Sequence, residues 1–239
     1  MNVVLLFGGG SQAFSEAGHI YPKTLIEING RPVVEHVLRQ FEGLPAKLVA
    51  VCAKEDVEAF HLDKVVKLLC PDIEVVKMNN ATSGAACSAL LAVEHFVDGQ
   101  ELLIVNGDQL IEEDFESLID QLRKQHADAG TVVFEDIHPR WSFVKTDEQG
   151  NVIEASEKRP ISNLATAGIY YFRQSEDFVS AVFRMIHKGA SVNDLFYVCP
   201  TFNELILEGK KIRTVATQKD KYHTLATPQR LNAYIQRFK

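Results

Sequence analysis

The chain begins with an apolar run, Val3-Val4-Leu5-Leu6-Phe7, that leads directly into Gly8-Gly9-Gly10-Ser11-Gln12. A short apolar run that ends in glycines predicts a buried strand leading into a tight loop. The free N–H groups of such a loop can face phosphate oxygens, which predicts an anion site at residues 8–12. Glycine clusters after a first strand also form plain tight turns, so the loop alone leaves both interpretations open.

A cation and a second turn follow the loop at characteristic positions. Lys23, in the pair Pro22-Lys23, is the only Lys or Arg before Arg31. An anion held by the glycines needs a counter-charge, and Lys23 is placed to supply it. The segment then continues as Thr24-Leu25-Ile26-Glu27-Ile28-Asn29-Gly30-Arg31-Pro32. The loop, the Pro-Lys pair and the Gly30-Arg31-Pro32 turn in this order are far more specific than the loop alone.

Apolar runs and helical patterns alternate through the first half of the chain. This alternation predicts an α/β fold with a doubly wound, mainly parallel sheet, whose ligands collect at the carboxyl ends of the strands. The predicted helices are residues 32–41, 55–69 and 83–96, and the predicted strands after the first are residues 47–53, 73–77 and 101–105.

The second half has a different pattern, with a hairpin signal at Glu148-Gln149-Gly150. We therefore expect a mixed sheet in one domain, residues 1–239, although the length also allows two small domains. The predicted strands here are residues 131–134, 142–145, 151–154, 165–172 and 211–215, and the predicted helices are residues 114–126, 176–187, 200–207 and 228–238.

The amino-acid composition limits the kinds of molecule that the chain can bind. A content of 46% hydrophobic residues in 239 allows a sizeable core, and the net charge of −7 argues against nucleic-acid binding, which needs a basic face. No apolar run approaches the roughly 20 residues that span a bilayer, so we expect no membrane insertion. The apolar N-terminal run is short, lacks a basic start and breaks at Gly8, unlike a signal peptide.

The four cysteines indicate a reducing compartment. They lie far apart, without a Cys-x-x-Cys pair or a His at ligand spacing, so we expect free thiols and not a metal site. Together with the absence of a membrane signal, this predicts a cytoplasmic protein. The cysteines are Cys52, Cys70, Cys87 and Cys199.

The N-terminal motifs resemble those of the sugar-phosphate nucleotidyltransferases and the related cytidylyltransferases for phosphorylated small molecules. Their pattern is a glycine-rich loop, then Pro-Lys-x-Leu, then Ile-x-Gly-x-Pro opening a helix. The matching residues are Pro22, Lys23, Leu25, Ile28, Gly30 and Pro32. The resemblance implies a Rossmann-like nucleotidyltransferase fold with a nucleotide-binding half, residues 1–110, and an acceptor-binding half, residues 111–239.

Later segments extend the resemblance and imply site residues. Thr82-Ser83-Gly84-Ala85-Ala86 is similar to the base-reading loop, Asn106-Gly107-Asp108 to the metal-binding strand end, and Glu157-Lys158 with Ala167-Gly168 to the acceptor site. The implied catalytic residues are Lys23 and Asp108, with Asp108 also holding Mg²⁺. The implied nucleotide-binding residues are Phe7, Gly8, Gly9, Gly10, Ser11, Gln12, Thr82, Gly84 and Ala85. The implied acceptor-binding residues are Asn106, Glu157, Lys158 and Gly168.

Several of these residues also have ordinary structural interpretations. An Asp after a strand can cap a helix or make a turn, which for Asp108 means the helix near Glu112. A Lys after Pro is usually solvated, and Glu157-Lys158 matches an exposed ion pair. Thr82 or Ser83 would in any case make good helix caps.

Two departures from the family pattern bear on specificity. Members usually carry an Arg shortly after the last loop glycine, where this chain has Ser11-Gln12-Ala13; Arg31 and Arg159 are the nearest substitutes in the motifs. The sugar-phosphate branch also carries a second metal-binding Asp, where this chain has Tyr222–Pro228; His223 or Thr224 is the available substitute. These departures favour the branch that activates phospho-alcohols or phosphorylated amino acids for capsule and lipopolysaccharide, which tends to use CTP.

The sequence therefore predicts a nucleotidyltransferase that joins a nucleoside monophosphate from an NTP, with CTP favoured, to a small phosphorylated acceptor and releases pyrophosphate. Two alternatives stay open: a nucleotide-sugar-dependent glycosyltransferase and a catalytically silent nucleotide-binding protein. The first normally binds its metal through Asp-x-Asp, which follows no strand here, and the second is suggested by the missing arginine. A homodimer is also left open.

Overall fold

The computed structural model describes residues 1–237. Within this range, nine strands form one mixed sheet. The strands are β1 Asn2–Phe7, β2 Glu27–Ile28, β3 Arg31–Pro32, β4 Lys47–Ala53, β5 Glu74–Met78, β6 Leu102–Asn106, β7 Gln109–Ile111, β8 Ala129–Glu135, β9 Ser142–Thr146, β10 Val152–Glu157, β11 Leu164–Phe172, β12 Ile212–Ala216 and β13 Tyr222–Thr224. The α-helices are α1 Gln12–Glu16, α2 Val33–Arg39, α3 Lys54–Phe60, α4 Leu62–Leu69, α5 Ala85–Leu90, α6 Phe115–Lys124, α7 Ser175–His187, α8 Thr201–Leu207 and α9 Pro228–Gln236.

The parallel part of the sheet has the order β5-β4-β1-β6. β11 joins β6 in antiparallel orientation, β8 and β12 continue beyond it, and the hairpin of β9 and β10 attaches at the start of β11. The predicted α/β fold with a mixed sheet is therefore confirmed. Strands from both sides of residue 110 share this one sheet.

Both faces of the sheet are covered, which explains the unbroken apolar strands. In β1, Val3, Leu5 and Phe7 contribute to one hydrophobic cluster, whereas Val4 contributes to the cluster on the opposite face. All four side chains are fully buried. Successive residues of a strand point to opposite faces, so a strand covered on both sides is apolar at every position.

Some predicted boundaries were wrong. The predicted helix 55–69 is two helices, α3 and α4, because His61 between them has a left-handed backbone with φ of 54°. The predicted helix 83–96 is the shorter α5 followed by a single 3-10 turn at Val93–His95. The last predicted helix ends at Gln236 in α9, and its predicted end at Phe238 lies outside the described residues.

The carboxyl ends of β1, β4, β5 and β6 meet at one edge of the sheet, as parallel strands require. Next to this edge lies a two-stranded antiparallel ribbon of β7 and β13, which pairs Thr224 with Gln109. The site described below is built there. No helix within residues 1–237 is long and apolar enough to cross a bilayer.

Candidate active site

The glycine loop borders a cleft of about 550 Å³ at the carboxyl edge of the sheet. Residues 8–12 and 19–22 form one side, and the start of α3 with the end of β5 forms the other. The structure therefore brings the predicted residues Gly8, Gly9, Gly10, Ser11 and Gln12 together around one cavity.

Two of the loop glycines lie directly against the ends of neighbouring side chains. A Cβ atom on Gly8 would lie 2.2 Å from the Met78 Cε atom, and a Cβ atom on Gly9 would lie 2.8 Å from the Lys23 Nζ atom. Any side chain at these positions would push Met78 or Lys23 aside. The Lys23 ammonium group therefore lies directly beside the backbone of the loop.

Lys23 and Asp108 form a buried ion pair. The Lys23 Nζ atom lies 2.6 Å from the Asp108 Oδ2 atom, and the two residues are 8% and 9% exposed. Lys23 is thus not a solvated loop lysine. Nor does Asp108 cap a helix, because α6 begins at Phe115 and its N-cap is Asp114, which accepts a hydrogen bond from the Ser117 N–H.

Hydrogen bonds from the β7–β13 ribbon and from the residue after it fix the position of Asp108. The Gln109 amide donates to the Asp108 Oδ1 atom at 2.9 Å, and the Tyr222 hydroxyl donates to the Gln109 side-chain oxygen. The Leu225 N–H donates to the Asp108 carbonyl at 2.7 Å. The sequence analysis missed these supporting residues, because strands of three residues carry no detectable periodicity.

The position of the second family aspartate offers no carboxylate. His223 turns away from Asp108, since its Nε2 atom lies 2.8 Å from the Glu112 Oε1 atom. Thr224 is buried and follows Tyr222 by two residues, so the two share the face of β13 that meets Gln109. Within residues 1–237 no cluster of three or more His, Cys, Asp or Glu residues can hold a metal ion.

Asp108 nevertheless fits a magnesium ion that takes its other ligands from a substrate. Mg²⁺ is usually bound through one or two carboxylates together with substrate phosphates and water. Each Asp108 carboxylate oxygen accepts one hydrogen bond, from Lys23 or from Gln109. Since a carboxylate has about four lone-pair sites, acceptor capacity remains for an ion.

The predicted base-reading loop lies beside the cleft and not on its lining. Gly84 has φ of 113°, and a Cβ atom there would lie 2.4 Å from the Phe196 carbonyl oxygen, so only glycine fits. The Thr82 hydroxyl donates to the Gly84 carbonyl at 3.1 Å. Asn80 and Ala81 line the cleft, whereas Thr82, Gly84 and Ala85 do not. The nucleotide-binding role of these three residues stays a prediction.

Phe7 is the last residue of β1 and directly precedes the glycine loop. Its side chain is fully buried, and its ring lies 2.4 Å from where a Cβ atom of Gly107 would be. The ring therefore supports the strand end that carries Asp108. Its side chain is closed to a ligand, and any contact between residue 7 and a nucleotide is left to the backbone.

Glu157 and Lys158, at the end of β10, do not form an exposed ion pair. The Glu157 carboxylate is buried and accepts a hydrogen bond from the Ser142 hydroxyl, and burial raises the pKa of this carboxyl group. Lys158 has a left-handed backbone with φ of 54°, and its Nζ atom donates to the Tyr197 hydroxyl at 2.8 Å. Among the described residues, no carboxylate lies within ion-pair distance of the Lys158 ammonium group, although Lys158 acts electrostatically on Glu157.

Asn106 and Gly168 adjoin each other on neighbouring strands. Asn106 ends β6, and a Cβ atom on Gly168 would lie 2.6 Å from the Asn106 Nδ2 atom. Gly168 also has a left-handed φ of 70°. The structure thus places two predicted acceptor-binding residues in direct contact.

Among residues 1–237, no arginine that could replace the missing loop arginine lines the cleft. Arg31 pairs with Glu35 at 3.3 Å, and Arg159 pairs with Glu154 at 2.8 Å. Gln12 does line the cleft, and its amide donates to the Glu16 carboxylate at 2.8 Å. The two candidates from the sequence analysis therefore lie elsewhere.

Asp56, on α3, is a cleft residue that the sequence analysis missed. It is 9% exposed and lines the cleft. Burial, and next the negative charge of Glu55, raise the pKa of Asp56 to about 6, although Lys23 acts in the opposite direction. Because Asp is common in the first turn of helices, an Asp at position 56 does not by itself indicate a functional site.

The fold and this edge of the sheet define a class of α/β enzymes that act on nucleotides, and comparison with known proteins identifies the family. The model of the MobA-like NTP transferase domain matches residues 3–168. The chain belongs to this family, and its enzyme class is nucleotidyl transfer. This match confirms the resemblance to nucleotidyltransferases that the sequence motifs indicated.

Two curated relatives illustrate the similarity. The chain is 26% identical over 223 residues to the UTP–glucose-1-phosphate uridylyltransferase AglF of Haloferax volcanii, covering 90% of this chain and 87% of the relative. It is 27% identical over 191 residues to the bifunctional protein GlmU of Methanocaldococcus jannaschii, covering 79% of this chain. The match spans only 42% of the GlmU chain.

Solved structures share the fold. The nucleoside-diphosphate-sugar pyrophosphorylase of Vibrio cholerae superposes with a TM-score of 0.83 at 23% identity, covering 99% of this chain and 100% of that one. A glucose-1-phosphate thymidylyltransferase homologue of Bacillus anthracis gives 0.74 at 18% identity, covering 99% and 94%. At these identities the likeness establishes the fold alone.

Proposed function

We propose that the chain transfers a nucleoside monophosphate from an NTP to a sugar 1-phosphate or another small phosphorylated acceptor and releases pyrophosphate. The observation that carries this proposal is the buried Lys23–Asp108 pair beside the glycine loop in a member of the NTP transferase family. The names of relatives such as AglF support a sugar phosphate as the acceptor.

The reaction needs alignment and charge neutralisation more than covalent chemistry. A phosphate oxygen of the acceptor attacks the α-phosphorus of the NTP, and the bond from that phosphorus to the bridging oxygen breaks, so that pyrophosphate leaves. The loop N–H groups bind phosphate oxygens, and Lys23 neutralises charge that develops on the transferring group.

Asp108 is the residue proposed to hold Mg²⁺. When bound, the ion neutralises phosphate charge and orients the triphosphate. The protein contributes a carboxylate whose position is fixed by Gln109, Tyr222 and the backbone of Leu225. Lys23, which pairs with Asp108 in this structure, is then available to a phosphate oxygen.

The acceptor is proposed to bind between the ends of β6, β10 and β11. Lys158 supplies a positive charge for the acceptor phosphate; without the acceptor its ammonium group donates to the Tyr197 hydroxyl and lies over the Tyr197 ring. Glu157 and Asn106 offer polar groups to the rest of the acceptor. Gly168 leaves the room that Asn106 occupies.

The base and the biological setting are finer proposals that rest on the family resemblance. We propose CTP as the preferred triphosphate and cytoplasmic synthesis of a capsule or lipopolysaccharide precursor as the setting. The relatives include an enzyme named for UTP and glucose-1-phosphate adenylyltransferases, such as that of Clostridium acetobutylicum. A direct comparison of triphosphates is therefore the necessary experiment.

The test measures pyrophosphate release with CTP, UTP, GTP, ATP and dTTP, each with Mg²⁺ and each with glucose 1-phosphate, phosphocholine or no acceptor. We expect release that requires both a triphosphate and an acceptor, with the highest rate for CTP. Higher rates with another triphosphate would overturn the proposed base but not the reaction. Tight triphosphate binding without release for any acceptor would favour the silent nucleotide-binding protein.

A further inference from the structure

The α3 side of the cleft combines one buried carboxylate, Asp56, and one exposed carboxylate, Glu55, with aromatic surface. Asp56 and Phe60 are four residues apart on α3, so they lie on the same face of the helix, and both line the cleft. The Tyr21 ring meets the Phe60 ring edge to face, with 5.9 Å between their centroids. Met78, at the end of β5, adds further apolar surface.

Asp56 lacks a partner among the described residues. Its carboxylate makes no hydrogen bond or ion pair within residues 1–237, although it is buried. Lys23, the cation that acts on its pKa, is held at 2.6 Å by Asp108 instead. Burial penalises this unpaired carboxylate, whose oxygens are not fully closed off from solvent, and a ligand that donates a hydrogen bond to it would offset that penalty.

The chemistry of an NTP limits what can meet this carboxylate. Its phosphates are anions and are repelled, whereas the Lys23 end of the glycine loop attracts them. Hydrogen-bond donors occur only on the base and the ribose. A flat base also suits the surface formed by Phe60, Tyr21 and Met78, because base–aromatic contacts are favourable.

We propose that Asp56 accepts a hydrogen bond from the exocyclic amino group of the base, so that the site selects a base with an amino group over the counterpart with a carbonyl group. The selected bases are cytosine over uracil and adenine over hypoxanthine. This inference rests on the proposed function, because it assumes that the cleft binds an NTP.

The experiment compares dissociation constants for CTP against UTP, and for ATP against ITP, by calorimetry with Mg²⁺. The members of each pair differ at the exocyclic group and at the adjacent ring nitrogen, which carries a proton only in UTP and ITP. A hydrogen bond to a charged group predicts a preference of about 10- to 100-fold for the amino base in the pair that the enzyme uses. In Asp56→Asn the amide can also donate to a carbonyl, so we expect the preference to fall to within about threefold.

Glu55→Gln is the matched control. Glu55 also lines the cleft and carries the neighbouring charge, but it is exposed. Its removal should change affinity for both members of a pair alike and leave their ratio intact. A similar collapse of the ratio in Glu55→Gln would mean that general charge, and not Asp56, determines selection.

Three results would overturn the inference. They are equal wild-type affinity within both pairs, an unchanged ratio in Asp56→Asn, and an effect of Asp56→Asn that appears only between CTP and 2′-deoxy-CTP, which would assign Asp56 to the ribose. None of them affects the proposed function if pyrophosphate is released. Conversely, amino-base selection without any release would keep this inference and reject the transfer reaction.

Discussion

At the scale of single residues, the pairing of Lys23 with Asp108 determines how each responds to substitution. The partners are 85 positions apart in sequence and nearly inaccessible to water. Removing one partner of a buried pair leaves an uncompensated charge, which is far more costly than losing both. Their effects on stability should therefore be strongly non-additive.

We predict that Lys23→Met lowers the free energy of unfolding by about 3–5 kcal/mol, because Asp108 then stays buried without its cation. The double variant Lys23→Met/Asp108→Asn should recover much of this loss. Urea denaturation of the four proteins in the cycle measures both quantities. Simple additivity of the two single substitutions would contradict a coupled pair.

A second prediction concerns Asp56, whose pKa is raised to about 6, first by burial and next by Glu55. Since the folded protein holds its proton more tightly than the unfolded chain, Asp56 lowers stability as the pH rises. The cost is absent below about pH 4 and complete above about pH 6. Asp56→Asn should therefore be more stable than wild type at pH 8, by up to about 3 kcal/mol.

The measurement is thermal or urea unfolding of wild type and Asp56→Asn between pH 4 and pH 8. The advantage of Asp56→Asn should shrink as the pH falls towards about 4. Asp63→Asn is a control on the adjacent helix, outside the cleft lining. An advantage of Asp56→Asn that is independent of pH would rule out the ionisation of Asp56 as its cause.

At the scale of elements, the end of β10 gives a third prediction. Lys158→Ala should raise the acceptor KM by about 10- to 100-fold with a smaller effect on kcat, because it removes a charge that binds the acceptor phosphate. Arg159→Ala is the control, since Arg159 is exposed and pairs with Glu154. Steady-state kinetics with varied acceptor separate the two parameters. An equal rise in KM for both variants would contradict a specific role of Lys158.

Gly168, the left-handed position within β11, gives a fourth prediction. Gly168→Ala should destabilise the protein by about 1–3 kcal/mol, because an alanine there is strained and contacts Asn106. Gly189→Ala isolates the strain, since Gly189 has a similar φ of 64° and open space around it. The excess cost at Gly168, measured by urea unfolding, reports the Asn106 contact. Equal costs at the two glycines would contradict that contact.

Elements with long apolar runs were predictable from sequence, and short ones were not. Strand β4, for example, was predicted with its observed bounds, Lys47–Ala53, because both of its faces are covered. The left-handed break at His61 was not predictable, since histidine carries no strong turn signal. The β7–β13 ribbon was missed because Gln109 and Tyr222 are 113 residues apart and depend on tertiary packing.

At the scale of the whole molecule, one edge of the sheet gathers residues from the entire described chain. The glycine loop and Lys23 come from the start, Asp108 from the middle, and the ribbon strand β13 from near the end. Motifs predicted the glycine loop and pointed to Lys23 and Asp108 as separate site residues, but they did not predict that the two side chains pair, which depends on the fold. Asp56 escaped prediction because its burial depends on the tertiary packing of α3, which lies against β4 and β5.

Nucleotidyl transfer at the Lys23–Asp108 pair is best tested by following the label from an NTP radiolabelled at the α-phosphate. Purified protein is mixed with the labelled NTP, Mg²⁺ and a phosphorylated acceptor, and the label in the acceptor product is measured over time. We predict labelled product with wild type and a rate lower by about 10²–10³ in Asp108→Asn, because an electrostatic contact at the transferring phosphate is lost. No labelled product from wild type, or a wild-type rate in Asp108→Asn, would contradict the account.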